Sequence, residues 1–427
     1  MDNIWVLPLL FLIYFVVLDA YKRSKRQQLR KPPSPPGYPI IGNLHQLGVL
    51  PHQSLWTLSK KYGPVMLLNL GKVPMVILSS VETAKQALRD HDIHCCSRPT
   101  AAGFRELSYN NLDIAFSPFS DYWKDVRKLA VKELFSTKQV HSVKPIMDEE
   151  VKKLMDSVVE SASQKIPISI NKTFLDLTKR VVCKAAFGVS FEGIGIKSDG
   201  FNKLVREAFE MLGSFSAADF IPYNILLGGV ETSAITLTWA MTELSRNHRV
   251  MKKVQSEIRN QMGNKSIISF DDTDKLTYLK MVIKETWRLH PPIPLLSPRE
   301  ALSEFEINGY TIKAKTRLHV NVWAIGRDPD TWKDPEEFFP ERFMDNSIDA
   351  KGLNFELLPF GSGRRICPAI FMGTTMVECG LANMLYNFDW MLPEGIMVED
   401  IDMEESPGLS VSKKNELLLV PMKYLDH

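Results

Sequence analysis

Residues 225–246 run Ile-Leu-Leu-Gly-Gly-Val-Glu-Thr-Ser-Ala-Ile-Thr-Leu-Thr-Trp-Ala-Met-Thr-Glu-Leu-Ser-Arg. The stretch is long enough for six turns of helix and is apolar on nearly every side. Such a helix has no face to offer water, so it must be buried within a body of other elements. Glu231 is its only charge before Glu243. Gly228 and Gly229 each cost about 1 kcal/mol against Ala inside a helix, so a reason for them is expected. Close approach of another helix is one reason and close approach of a flat ligand is the other. A carboxylate at Glu231, desolvated on a buried helix, suits proton delivery, and a partnered structural Glu fits equally well. Thr232 has the bland option of bonding back to a carbonyl one turn earlier.

The rest of the chain supplies that body. Residues 81–220 are mostly helical in pattern, with loops near 98–108 and 193–200 and a clear amphipathic stretch at 201–212. Further helices are expected at 250–262, 274–290 and 372–386. Pro291-Pro292 stops the second of these. Two apolar runs at 65–70 and 73–78 around Gly71 predict a hairpin. Short strands are expected around Asn308-Gly309 and at 417–420. The fold class is mainly α (α+β), with a small antiparallel β-sheet region. Lys and Arg number 52 against 50 Asp and Glu, a balance that argues against a broad nucleic-acid surface. The five cysteines lack CxxC spacing, which fits neither a disulfide framework nor a structural zinc site and places the body in a reducing compartment.

The N-terminus reads differently. Residues 4–18 are apolar, and counting 1–21 gives a length adequate for the thin endoplasmic reticulum bilayer. Lys22, Arg23, Lys25, Arg26, Arg30 and Lys31 follow, so that flank stays cytosolic. A cleaved signal peptide would carry its basic residues first. Residues 22–37 form a basic and Pro-rich linker, with Pro32-Pro33-Ser34-Pro35-Pro36-Gly37 as a stiff spacer of roughly 19 Å. The globular body is residues 38–427.

Four constellations bear on chemistry. Phe360-Gly361-Ser362-Gly363-Arg364-Arg365-Ile366-Cys367-Pro368-Ala369 sets one Cys beside two Arg and before a helix, which favours thiolate. No phosphate-loop pattern is completed, since Ile366 stands where a third Gly would be. A structural loop, a nucleophilic Cys and a metal-ligand thiolate all stay open. Glu285 and Arg288 are helix neighbours whose spacing alone suggests a solvated pair. Glu231-Thr232 is the third, and Trp123 with Arg127, four apart on one face, is the fourth.

Together and in this order these features resemble a cytochrome P450, most like the microsomal plant enzymes of specialised metabolism. The resemblance runs through nearly all of the chain. The hinge continuing through Gly37-Tyr38-Pro39-Ile40-Ile41-Gly42-Asn43, Trp123-x-x-x-Arg127, Glu231-Thr232, Glu285-x-x-Arg288 with Pro340-Glu341-Arg342-Phe343, and the loop from Phe360 to Cys367 carry it. It implies haem b with Cys367 as axial thiolate, and haem propionates held by Arg127, Arg299 and Arg365. Trp123 would contact the haem, and Phe360 would pack beside the sulfur. Glu285, Arg288 and Arg342 would be a buried structural triad. Thr232 and Glu231 would deliver protons, so that one oxygen atom from O2 enters a small hydrophobic substrate. Electrons would come from the membrane-bound NADPH–cytochrome P450 reductase, with Lys124, Lys128 and Lys132 as a docking face or an ordinary solvated one. The haem domain would sit on the cytosolic side of the endoplasmic reticulum membrane.

Two departures stand out. Ala369 occupies a position where the signature usually ends in Gly. More importantly, Asp219-Phe220-Ile221-Pro222 runs almost directly into Ile225. Relatives carry a long stretch with two pocket-roofing helices there, so the chain reads as internally shortened near 217–228. The alternatives to a monooxygenase are therefore a catalytically impaired, membrane-anchored isoform, or a haem-thiolate dehydratase or isomerase.

Overall fold

A computed structural model describes residues 30–100, 110–188 and 224–424, with Tyr14 and Arg105. The N-terminal apolar run, the amphipathic stretch at 201–212 and the junction at 217–223 lie outside the described residues. Among the described residues no helix is long and apolar enough to cross a membrane.

The first elements form the sheet-bearing end of the body. Helix α1 (Pro51–Tyr62) precedes strands β1 (Val65–Leu70) and β2 (Val73–Leu78), which pair antiparallel around Gly71. Two short helices follow, α2 (Val81–Lys85) and α3 (Asp92–Cys95), joined by one π-type turn at Gln86–Asp90. Ser80 caps α2 by accepting from the Thr83 amide.

The helical body comes next. It comprises α4 (Asp121–Glu133), α5 (Thr137–Gln164), the two-residue strand β3 (Ile168–Ser169), α6 (Ile170–Phe187), α7 (Asn224–Arg246) and α8 (His248–Met262). Ser120, Ser136 and Ser169 cap α4, α5 and α6, each accepting a backbone N–H from the first turn. The next long helix, α9 (Thr277–Leu289), starts three residues later than the pattern suggests. Phe270–Lys275 forms a separate 3-10 turn closed by a Ser269–Asp272 capping box. Strands β4 (Arg299–Glu300), β5 (Phe305–Ile307), β6 (Tyr310–Ile312) and β7 (Arg317–Val320) follow. Asn308 and Gly309 both have positive φ, as a type I′ hairpin turn requires. The chain ends through α10 (Val322–Ile325), α11 (Ile370–Asn387), β8 (Phe388–Met391) and β9 (Leu418–Lys423).

The sheet departs from the expected antiparallel pattern in one place. The largest sheet has the order β1-β2-β7-β4, and β2 pairs β7 parallel, Met75 opposite Arg317 through Leu78 opposite Val320. A parallel pair needs a long crossover, and here most of the helical body is that crossover.

Helix α7 is the axis of the molecule. It packs on α6, α11 and α9. Trp239 is 1% exposed, and Val230, Leu237, Ala240, Met241 and Leu244 are completely buried. The glycine pair separates into two cases. A Cβ on Gly229 would stand 3.2 Å from Val182 Cγ2, so that glycine lets α6 approach. A Cβ on Gly228 would meet nothing within 4 Å among the described residues.

Candidate active site

The loop bearing Cys367 is built by its own backbone. Gly361 and Gly363 both have φ of +69°, a conformation that favours glycine. The Ile366 amide donates to Gly363 O at 3.0 Å, and the Cys367 amide donates to Phe360 O at 3.0 Å. The loop thus closes into a hairpin that presents Cys367 just before α11. The Phe360 ring lies 5.2 Å from Trp287 in a T-shaped contact. Burial pushes the Cys367 thiol up, while the Ala369 amide and the Arg127 guanidinium pull it back down. A cation bound at the sulfur would reinforce that pull.

Three guanidinium groups hold this loop, Arg127, Arg299 and its own Arg365, and a fourth, Arg98, lies near enough to repel all three. Arg127 Nη2 donates to Ile366 O at 2.5 Å. Arg365 donates to Cys96 O and Ser117 O, both at 2.7 Å, and stacks 3.7 Å over the Trp123 ring. Arg98 donates to Ala115 O, Ser297 O and Pro298 O. Arg299 donates to Asp92 Oδ1 and Ser362 O, both at 2.6 Å. Burial and mutual repulsion pull Arg365 down to about 9, and the same causes lower Arg98 strongly. Among the described residues, the Arg365 Nη1 is buried with no hydrogen-bond partner. A buried, unpaired guanidinium donor among like charges calls for an anion. The residues therefore fit a group that brings carboxylates to the arginines and a metal to the thiolate.

The positions singled out in the sequence fall as follows. Trp123 Nε1 donates to Ile114 O at 2.9 Å, so its polar edge serves the preceding loop while its face holds Arg365. Arg127 lies at 5.5 Å from the same ring, the packing contact its spacing suggests. Arg299 is already engaged by Asp92 and Ser362. Thr232 donates to Gly228 O at 2.6 Å, which is the bland back-bond. Glu231 Oε2 accepts from Ser410 Oγ at 2.7 Å, across from the 401–417 segment. Lys124 pairs with Asp121 and Lys132 with Glu133, each at 2.8 Å on exposed α4.

The solvated pair suggested by spacing at Glu285 and Arg288 is corrected by the structure. Glu285 is 0% and Arg288 1% exposed. Glu285 receives Arg288 Nε at 2.7 Å and Nη2 at 2.8 Å, Arg342 Nε at 2.9 Å and the Phe339 amide at 2.8 Å. The turn Pro340–Phe343 folds over that face of α9, which the sequence pattern leaves open. Arg288 also donates to the carbonyls of Gly326, Pro335 and Glu337.

Sequence reasoning missed Asp92, Arg98 and Ser410. Asp92 sits in the short helix after β2 and Arg98 just past the bridge at Ser97, where no periodicity or motif marks them. Ser410 lies in an irregular segment that carries no motif.

A family model described as "Cytochrome P450" matches this chain over residues 32–227 and 223–420, two pieces that meet at 223–227. Cytochrome P450 71B26 of Arabidopsis thaliana is 63% identical over 500 aligned residues, covering 100% of each chain. Cytochrome P450 71B34 of the same plant is 63% identical over 499 residues with the same coverage. Cytochrome P450 71B35 is 62% identical over 494 residues, covering 99% of each. Against the 427 residues of this chain, the 500-position alignment leaves about 73 positions with no counterpart here.

Proposed function

Because this chain belongs to the cytochrome P450 family and is an oxidoreductase of the monooxygenase class, we propose that it holds haem b through Cys367 and that its internal shortening impairs turnover. The observation that carries the first half is the convergence of a preformed Cys hairpin with the buried, unpartnered Nη1 of Arg365. When bound, haem iron supplies O2 activation, and the cysteine thiolate donates density that favours O–O cleavage.

The chain's own residues have the remaining tasks. Arg365 and Arg127, steadied by Trp123, would hold the haem's carboxylates, which guanidinium forks suit. Arg299 uses one N–H of each Nη on Asp92 and Ser362, and its guanidinium carries five N–H donors in all, so it can join them without giving up either bond. Phe360 shields the sulfur and Trp287 braces the ring. Glu231, oriented by Ser410, and Thr232 would hold and pass protons. For that the Thr232 hydroxyl must leave the Gly228 carbonyl. Glu285, Arg288 and Arg342 hold the turn at Pro340–Phe343 against α9 and take no part in chemistry.

The substrate is a small hydrophobic molecule, and electrons come from an NADPH-dependent P450 reductase. Residues 1–21 anchor the chain in the endoplasmic reticulum membrane with the body cytosolic, which their apolar run and the following basic cluster support. The two-piece family match and the unmatched alignment positions support a missing segment near 217–228. That segment would have roofed the pocket beside the start of α7.

The test is the reduced, carbon monoxide-bound difference spectrum of the chain in microsomes beside Cys367→Ser, followed by reductase-dependent NADPH consumption. A thiolate-type band in the wild type alone, with slow product formation, is the expected result. Absence of the band sinks the haem reading, and normal turnover of any substrate sinks the impairment.

A further inference from the structure

Asp92, on the short helix α3, is a buried carboxylate. It is 3% exposed. Its Oδ1 accepts Arg299 Nη1 at 2.6 Å. Its Oδ2 accepts Arg364 Nη1 at 2.8 Å and the Arg364 backbone N–H at 3.1 Å. Arg299 carries the connection onward, because its Nη2 donates to Ser362 O at 2.6 Å. One carboxylate therefore holds Ser362 and Arg364, directly or through one guanidinium, on both sides of Gly363.

Gly363 reports how tightly this contact is closed. A Cβ there would stand 2.5 Å from Asp92 Oδ1 and 2.4 Å from Leu88 O. The loop backbone is pressed onto α3 and the turn before it, with no room for a side chain between. From that clamped point the 3-10 turn Gly363–Arg365 leads directly to Cys367. The clamp is also directional. A backbone N–H bond fixes the peptide plane at Arg364, which a simple neutralising charge would not do.

We propose that Asp92 is a positioning residue for the thiolate ligand: it locks residues 362–364 so that Cys367 is delivered at one fixed height and angle above α11. It touches neither the reacting atoms nor the sulfur and acts through the loop. The inference takes its chemical meaning from the haem-thiolate reading, but the clamp is a property of the polypeptide and is tested separately.

The experiment uses the full chain in microsomes or nanodiscs, with Asp92→Asn and, for comparison, Arg364→Gln. Arg364→Gln loses a half-exposed side-chain bond and keeps the backbone one. Two readouts are taken. The first is backbone amide exchange across residues 360–368, compared with the α7 core. Asp92→Asn is expected to speed exchange in the loop at least tenfold with the α7 core unchanged, and Arg364→Gln to leave both near wild type. The second is the ratio of thiolate-type to thiol-type carbon monoxide bands at equal haem content. It is expected to fall several-fold in Asp92→Asn only.

Loop protection and band ratio both unchanged in Asp92→Asn would overturn the proposal. So would an equal loss of protection in loop and core, which assigns Asp92 to general stability. A wild type with no thiolate band but a loop that Asp92→Asn selectively loosens refutes the haem reading and leaves the clamp standing.

Discussion

Removing the Glu285 carboxylate should be among the most damaging single changes in this chain. The side chain is wholly buried and serves four donors: two from Arg288, one from Arg342 and the Phe339 amide. Glu285→Ala leaves the Arg288 guanidinium, itself buried, facing only carbonyl dipoles. Breaking a buried ion pair in this way costs about 3–5 kcal/mol, because the surviving charge is uncompensated. Orphaning the Phe339 N–H adds about 1–3 kcal/mol. The sum, roughly 4–8 kcal/mol, rivals the whole stability of an ordinary domain, about 5–15 kcal/mol. Glu285→Gln should do less harm, since its amide oxygen still accepts from Phe339 while its charge is gone. Denaturant unfolding of detergent-extracted protein, followed by tryptophan fluorescence, measures both. Glu341→Gln, a partly exposed carboxylate in the facing turn, serves as a milder comparison, expected to lose only about 1–2 kcal/mol. A Glu285→Ala midpoint within about 1 kcal/mol of wild type would refute the reasoning, because no buried charge would then have been left unpaired.

Further outcomes can be stated briefly. Gly363→Ala should abolish the thiolate-type band, since a left-handed Ala costs about 1–2 kcal/mol even before its Cβ meets the Leu88 carbonyl; an intact band would disprove the close approach. Thr232→Val should leave thermal stability nearly unchanged, because its hydroxyl bond goes to Gly228 O on the same helix. The same variant should raise peroxide formed per NADPH several-fold with reductase present, and an unchanged peroxide yield would remove Thr232 from proton delivery. Burial raises the Glu341 carboxyl, but Arg249, Lys253 and the Tyr278 hydroxyl outweigh it and hold it at about 2 against an ordinary 4.5. Its folded value is depressed, so its contribution, about 1–2 kcal/mol after allowing for two half-exposed cations, is complete above pH 4.5 and disappears as pH falls toward 2. Acid titration of stability in Glu341→Gln should accordingly lack that component.

How much of this was legible beforehand depends on how local each signal is. The hairpin at Val65–Leu70 and Val73–Leu78 was readable to the residue, since two apolar runs around one glycine leave little choice. Helix α7 was readable from its composition alone. The parallel pairing of β2 with β7 was not, because nothing in either strand names a partner some 240 positions away. At the site, Cys367 and Arg365 stand in one contiguous run and could be singled out. Asp92 and Arg98 could not, as their role exists only once distant backbone is brought against them. Glu285 shows the same limit from the other side. Spacing three apart reveals a pair, but only the turn at Pro340–Phe343 decides that the pair is dry.

The distances along the chain have a consequence in time. The contacts that fix the Cys367 hairpin reach back 239 positions to Arg127, 269 to Cys96 and 272 to Asp92. Until residue 367 has emerged, its supports have nothing to hold. At about 5–20 residues per second, synthesis takes some tens of seconds. Closing loops of this length then adds an entropic delay that local helices do not suffer. The cysteine hairpin should therefore be among the last parts of the chain to set, leaving an early nascent state with formed helices and no competent ligand. Any group captured by Cys367 should therefore be captured late, once residue 367 has emerged and these long-range contacts have closed.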